Sequence, residues 1–208
     1  MSKELVNIKL YHITDVANLP AILHSGGLLS DVKMGKVVHE KIGYAHIKAR
    51  RMTEYRIPCC ENRFVGEFVP FYYCPRSPML YTINMGNVGK PKGCQSSIVH
   101  LVSNVESAIG VASAWAISDG NAGAGYTRFN NEIVALDELD WEIIASDSWG
   151  GELRRNKKSA EFLVADFFPW QAIDTVVCHN SQIAICVSEL LAKQVNAPNV
   201  VVQPNWYY

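Results

Sequence analysis

The chain has 208 residues, of which 49% are hydrophobic and 19% charged; that balance excludes a disordered polymer and leaves enough apolar material for a core without disulfide or metal staples. Nineteen basic against twenty acidic residues give a net charge of −1, which excludes a protein coated in positive potential, and no apolar run approaches the roughly eighteen residues that span a membrane. Met1-Ser2-Lys3-Glu4-Leu5 lacks the charged-then-apolar layout of an export signal, so a cytoplasmic protein without membrane attachment is expected.

Ile8 to Ile13 alternates weakly and predicts a first strand. Asn18 is a helix cap with Pro20 in the first turn, and Gly26-Gly27 ends that helix. Residues 31 to 41 are polar and glycine-interrupted and predict a loop. From Ile42 to Tyr55 strong helix formers place Ile42, Ala45, Ala49 and Met52 on one apolar face. Val65 to Cys74 predicts a strand stopped by Pro75, and Ser77-Pro78 starts another helix through Ile83. Ser97 to Val102 predicts a buried strand, Asn104 the cap of a short helix, and Ala112 to Ile117 a further strand. Gly120 to Gly125 is a glycine-alanine run with the composition of a mobile surface loop. Helices are predicted over 128–139 and 153–158, and a strand from Ser159 to Phe168 stopped by Pro169. Thr175 to Cys178 and Val200 to Val202 predict strands on either side of an amphipathic helix over 183–193. Strands and helices mix without regular alternation, so a single α+β domain is expected.

Charge is uneven. Lys33 to Arg56 holds seven basic and two acidic residues, Glu132 to Asp147 holds six acidic residues and no basic one, and Arg154, Arg155, Lys157 and Lys158 face a lone Glu152. Two basic segments in a neutral protein can frame a cleft for an anionic ligand, or form two solvated faces. Six cysteines without a CxxC pair read as reduced thiols rather than a metal cluster. Several common motifs are missing: GxGxxG after a strand, GxxxxGK[ST], HExxH and GxSxG.

Three stretches are not explained by packing. Tyr11-His12-Ile13-Thr14 interrupts the end of an apolar strand with polar residues; Tyr44-Ala45-His46-Ile47-Lys48-Ala49-Arg50-Arg51 forms a basic helix; Lys157-Lys158-Ser159-Ala160-Glu161-Phe162-Leu163-Val164 sets a lone carboxylate at the mouth of an apolar strand. Read with Val69 to Tyr81 and Trp206-Tyr207-Tyr208, these residues make the chain resemble the DarT-type DNA ADP-ribosyltransferase toxins from Tyr11 to Tyr208, closest to the branch that modifies thymidine.

The resemblance implies an ADP-ribosyltransferase fold, a split mixed β-sheet with a NAD cleft in one domain spanning 1–208. It implies transfer of ADP-ribose from the co-substrate NAD to thymidine in single-stranded DNA, without a metal, by a toxin whose antitoxin is a macrodomain-type ADP-ribosyl hydrolase. A monomer is expected. Glu161 matches the catalytic glutamate, and Arg51 an essential arginine with a part in taking the thymine ring proton. His12, Ile13 and Thr14 match the NAD-binding strand, and Ala21 and Leu29 the adenosine end. Residues 35–52 match a loop and helix that close over NAD, and 119–161 the region that presents the acceptor.

The chemistry suits these residue types. As nicotinamide leaves, the ribose carbon gains positive charge that a fixed carboxylate stabilises, so Glu161→Ala is expected to abolish transfer and leave the fold intact. Arg50 and Arg51 lie about 100° apart on a helix, so both cannot point into one pocket; since the resemblance implies Arg51 as the site residue, Arg50 is the expected surface one. Arg154, Arg155, Lys157 and Lys158 are the expected phosphate contacts, with Tyr72, Tyr73, Tyr126 and Trp149 as possible stacking surfaces for unpaired bases. Two other readings remain open: the same pocket acting on protein or RNA, and a non-catalytic nucleic-acid-binding module.

Overall fold

The structure is a computed structural model that describes residues 4–35, 39–40, 42–87, 89 and 91–208. Twelve strands are found among them. β1 (Lys9–Asp15), β5 (Phe68–Tyr72), β6 (Ile98–Asn104), β7 (Trp115–Ser118), β8 (Phe129–Asn130), β9 (Glu161–Ala165), β11 (Thr175–Cys178) and β12 (Asn199–Val202) form one sheet, ordered β12-β11-β6-β1-β5-β9-β7-β8. Two short pairs stand beside it, β2 (Gly27–Leu29) with β10 (Phe167–Pro169) and β3 (Arg56–Ile57) with β4 (Arg63–Phe64). All ladders of the large sheet are antiparallel except β11 with β12, which are joined through a helix as a parallel pair requires. The sheet is mixed and the α+β class is the expected one.

The sheet is split at its centre. β1 pairs with β6 along seven residues, and β5 pairs with β9 along five, but β1 and β5 share the single register pair Tyr11↔Tyr72. Beyond it the two halves diverge, and the His12 ring bridges the gap through Nδ1 to the Pro70 carbonyl at 2.8 Å. Alternation along β1 sends Leu10 into the large core, with Phe71, Phe162 and Phe168, and Ile13 into a smaller cluster with Leu80, Ile83, Ile98 and Tyr207. The buried phenylalanines each contribute about 2–3 kcal/mol of apolar transfer and fix both halves against the helices.

Eight helices surround the sheet among the described residues: α1 (Leu19–His24), α2 (Asp31–Met34), α3 (Ala45–Thr53), α4 (Pro78–Asn84), α5 (Val105–Val111), α6 (Trp141–Ala145), α7 (Glu152–Lys158) and α8 (Ser181–Leu191). Ser77, Asn104 and Asn180 cap α4, α5 and α8 by accepting backbone N–H bonds. Asn18 does not cap α1: its amide is used on Thr14 Oγ1 and on both backbone groups of Glu40, while Asp15 caps the preceding turn.

Four further sequence expectations are corrected. Residues 31–34 are helical, not a loop, because the Ser30 hydroxyl accepts from Lys33 N; positions 36–38 and 41 of that stretch, including Lys36 and Lys41, lie outside the described residues, as do 1–3. The face expected for α3 is half right: Met52 turns toward the protein, but Ala45 and Ala49 are exposed and Ile47, Lys48 and Arg51 turn inward in their place, because Asp31 and Glu161 draw the two cations inward. The helix expected over 128–139 is a two-residue strand followed by a 3-10 segment, Ile133–Glu138, and Asp140 starts α6 by capping Ile143 N. The strand expected from Ser159 to Phe168 breaks at Asp166, which adopts φ 63° and holds Arg63 at 3.0 Å; an aspartate accepts this left-handed conformation more readily than most residues.

Candidate active site

Glu161 begins β9 opposite Tyr72 of β5, one strand away from the split. Its side chain is 2% exposed and accepts three hydrogen bonds from two residues. Arg51, reaching from α3, donates Nη1 to Oε1 at 3.1 Å and Nη2 to Oε2 at 2.9 Å. Ala122 donates its backbone N–H to Oε1 at 3.2 Å. The lysines beside Glu161 in sequence are not its partners. Arg50, the neighbour of Arg51, is spent on Glu54 at the surface, on a different side of the helix.

The geometry sets the charge states. Burial works against the Arg51 charge, but the Glu161 carboxylate and its hydrogen bonds outweigh that effect and hold the guanidinium charged above its ordinary range. Burial and the same carboxylate push the Tyr72 hydroxyl up, so it stays neutral. Burial pulls the His12 imidazole down. A carbonyl can only accept, so neutral His12 carries its proton on Nδ1 toward Pro70 and leaves Nε2 as an acceptor. Asp31 carries its charge to the same side: it is bridged to Lys48 at 2.8 Å and acts electrostatically on both His12 and Arg51.

Two packing contacts position the pair. Gly66, in the 3-10 turn before β5, lies under α3: a Cβ there would stand 3.1 Å from Met52 Cα and 3.2 Å from the Arg51 carbonyl. Ser118 at the end of β7 accepts from Glu161 N at 2.9 Å and donates to the Gly120 carbonyl at 2.7 Å. It thereby ties the glutamate backbone to the glycine-alanine run. That run is not a loose surface loop: Ala122 is fully buried, and a Cβ on Gly120 would stand 2.0 Å from Asn156 Oδ1.

The other expected site residues are placed as follows. His12, Ile13 and Thr14 lie on β1 at the split, with Ile13 and Thr14 buried. Ala21 on α1 and Leu29 on β2 are half-buried and offer only shape and backbone. Arg154 and Arg155 are exposed on α7; Arg154 donates to the Ser148 carbonyl. Lys157 lines a groove of about 380 Å³ that also holds Asp119 and Glu138. Lys158 is a correction: it is 2% exposed, and its ammonium donates to the Ile144 carbonyl at 2.8 Å, so it meets the C-terminal turn of α6 and not a phosphate. Among the aromatic residues Tyr73 is core, Tyr72 is half-buried beside Arg51, and Tyr126 and Trp149 reach the surface.

Sequence reasoning missed Ala122, Ser118 and Asp31. Ala122 acts through its backbone and carries no side-chain signal, and Ser118 is one of many strand serines. Asp31 could have been found as the only carboxylate near the start of the basic segment. Among the described residues no group of three or more His, Cys, Asp or Glu side chains is placed to hold a metal, and no helix is long and apolar enough to cross a membrane.

Residues 11–208 match the family described as DarT, ssDNA thymidine ADP-ribosyltransferase. A DNA ADP-ribosyl transferase of Thermus aquaticus is 35% identical over 201 residues, which cover 96% of this chain and 88% of that protein. Two structures of DarT from Thermus sp. 2.9 superpose on the fold. The complex with ADP-ribosylated ssDNA does so at a TM-score of 0.90 and 34% identity, over 97% of this chain and 96% of that one. The complex with NAD+ gives a TM-score of 0.86 and 30% identity, over 100% of both chains. A fusion protein of Thermosipho africanus, in which a DNA ADP-ribosyl transferase is joined to a DNA ADP-ribosyl glycohydrolase, is 26% identical over 201 residues, 95% of this chain and 48% of that protein.

Proposed function

Because the chain belongs to the DarT family of ssDNA thymidine ADP-ribosyltransferases, we propose that Glu161 and Arg51 are its reaction centre, acting on NAD in the sheet split and on a thymidine presented in single-stranded DNA. The enzyme moves ADP-ribose from NAD to DNA and releases nicotinamide. The observation that carries the residue assignment is the buried carboxylate of Glu161, gripped by Arg51 and Ala122 one strand from the split.

His12 Nε2 accepts from a ribose hydroxyl, and the β1 backbone at Ile13 and Thr14 meets the nicotinamide amide where β5 has diverged. Ala21 and Leu29 shape the adenosine end. The segment 35–52 closes over the dinucleotide and carries Arg51 with it, and 119–161 presents the acceptor. The bond between ribose and nicotinamide breaks with its electron pair going to nicotinamide. Glu161 stabilises the cationic ribose carbon and holds its 2-hydroxyl. The thymine ring nitrogen gives up its proton and forms the new bond to that carbon. Arg51 orients the base through its fork. When Glu161 turns from Arg51 to the ribose, the interaction that keeps the guanidinium charged is withdrawn while the burial remains; Arg51 then gives one proton to solvent, and the neutral guanidine accepts the thymine ring proton.

The chain acts as a cytoplasmic monomer and as the toxin of a pair, with a hydrolase that removes the mark. The Thermosipho fusion, which joins the two activities in one polypeptide, supports that partner class. The test is incubation with NAD and separate pools of single-stranded DNA, duplex DNA, RNA and protein, followed by mass spectrometry. An ADP-ribose adduct on thymidine in the single-stranded pool is expected. An adduct confined to RNA or protein overturns the acceptor assignment.

A further inference from the structure

A set of rings that reaches the surface is not used by the reaction centre. Tyr81 of α4, Trp149 and Tyr208 meet edge to face, with centroid separations of 5.3 Å for Tyr81–Trp149, 5.1 Å for Tyr81–Tyr208 and 6.5 Å for Trp149–Tyr208. Tyr81 is 38% exposed and the other two are half-buried, so the set is open to solvent where a core cluster would be covered. Two guanidinium groups flank it. The Arg76 Cζ lies 4.6 Å from the Tyr208 ring centre. Its Nη1 meets Asp147 at 3.0 Å, and its buried Nε has no hydrogen-bond partner. Arg154 Nη2 donates to the Ser148 carbonyl at 2.8 Å, which fixes it beside Trp149 in the chain.

Connectivity ties this patch to Glu161. Tyr72 is the register partner of Glu161, and Arg76 follows it by four residues, at most about 14 Å of extended chain. From the other side α7, which bears Arg154, ends at Lys158, three residues before Glu161. Aromatic rings with guanidinium groups beside them match a strand whose bases are unstacked and whose phosphates are charged. A duplex hides its base faces and gains nothing from the rings. The Asp147 carboxylate that holds Arg76 is 74% exposed, and an ion pair so open is weak enough for a phosphate to displace.

We propose that Tyr81, Trp149 and Tyr208 form a stacking platform for the bases that flank the acceptor thymidine, with Arg76 and Arg154 meeting the adjoining phosphates. The proposal rests on the reading of Glu161 as the transfer centre and adds where the rest of the strand lies. It makes the platform a determinant of substrate length: flanking bases raise affinity, and a lone thymidine nucleotide forgoes that gain.

The experiment measures anisotropy of a labelled, thymidine-containing single-stranded oligonucleotide without NAD, for wild type, Trp149→Ala, Trp149→Phe and Tyr81→Ala, each checked for native melting. Trp149→Ala is expected to weaken binding about tenfold, Tyr81→Ala severalfold, and Trp149→Phe to keep most of the affinity. In turnover, the rise in KM caused by Trp149→Ala shrinks as the oligonucleotide is shortened to a single thymidine nucleotide. Wild-type affinity in both alanine variants, or an equal loss in Trp149→Ala and Trp149→Phe, overturns the platform. Binding is read without NAD, so a protein that stacks DNA normally but never modifies it defeats the transfer reading alone.

Discussion

Arg51 binds Glu161 through two parallel N–H···O bonds of 3.1 and 2.9 Å, joining a helix of the first third of the chain to a strand 110 residues later. The fork geometry is the strongest a guanidinium can offer a carboxylate. With the Ala122 N–H added, three donors point at one carboxylate, which in the proposed mechanism turns from Arg51 to hold a ribose. In the proposed mechanism the pair is both the reaction centre and the contact that is remade when NAD enters.

Substitutions at Glu161 separate its charge from its packing. Glu161→Gln keeps the shape and one acceptor, and is expected to lower the transfer rate by roughly two to three orders of magnitude with a small fall in melting temperature. Glu161→Ala is expected to lose the rate and also to destabilise the fold by about 3 kcal/mol, because Arg51, whose side chain is 13% exposed, is left buried without its partner. That revises the sequence-based expectation of an intact fold. Turnover and thermal melts of both variants check it; an alanine variant as stable as wild type contradicts the structural half.

Gly66 sets the distance of α3 from the sheet. Its absent Cβ would stand 2.6 Å from Met52 Cγ and 3.1 Å from Met52 Cα, so Gly66→Ala must push the helix outward. The expected result is a loss of about 1–3 kcal/mol in stability and a slower transfer rate as Arg51 withdraws from Glu161. Adding Met52→Ala removes the nearest atom, and a double-mutant cycle should return part of the stability. Additive losses would place the damage elsewhere.

What the sequence discloses depends on the reach of each interaction. β9 is legible because Phe162-Leu163-Val164 is a continuous apolar run, and α4 because Ser77-Pro78 is a local start signal. The hairpin of β3 and β4 has two residues per strand and no periodicity to read. The inward side of α3 was misjudged because the helix turns on ionic partners at Asp31 and Glu161, which are remote in sequence, and not on its alanines. Lys158 reads as one more cation in a basic run, and only the placement of α6, itself unseen, makes it a buried donor. Glu161 and Arg51 are legible as site residues through family resemblance; their pairing is a tertiary fact.

The basic helix should divide by exposure. Arg154→Ala and Arg155→Ala are each expected to weaken single-stranded DNA binding and to reduce the slope of log Kd against log salt by about 0.7, the loss of one phosphate contact. Lys158→Met removes a buried ammonium and should leave that slope unchanged while altering stability. Titrations at several salt concentrations test the division; a salt slope reduced by Lys158→Met would show that the ammonium reaches DNA after all.

Acid should unfold the protein through His100. This residue on β6 is fully buried, with Nε2 on the Pro75 carbonyl at 2.9 Å and Nδ1 beside the Tyr207 hydroxyl at 3.3 Å. Burial pulls its pKa down to about 4, whereas an unfolded histidine titrates near 6.5. Above about pH 6.5 neither state is protonated and the contribution to stability is complete. Between there and about pH 4 the unfolded chain takes a proton that the folded one refuses, so stability falls as pH drops, by about 3 kcal/mol at the end of that window. His12, whose pKa is also lowered by burial, acts with the same sign. Urea midpoints measured from pH 7 to pH 4 should therefore slope downward, and His100→Gln, which cannot titrate, should flatten the curve. An unchanged slope in that variant would assign the acid sensitivity to other groups.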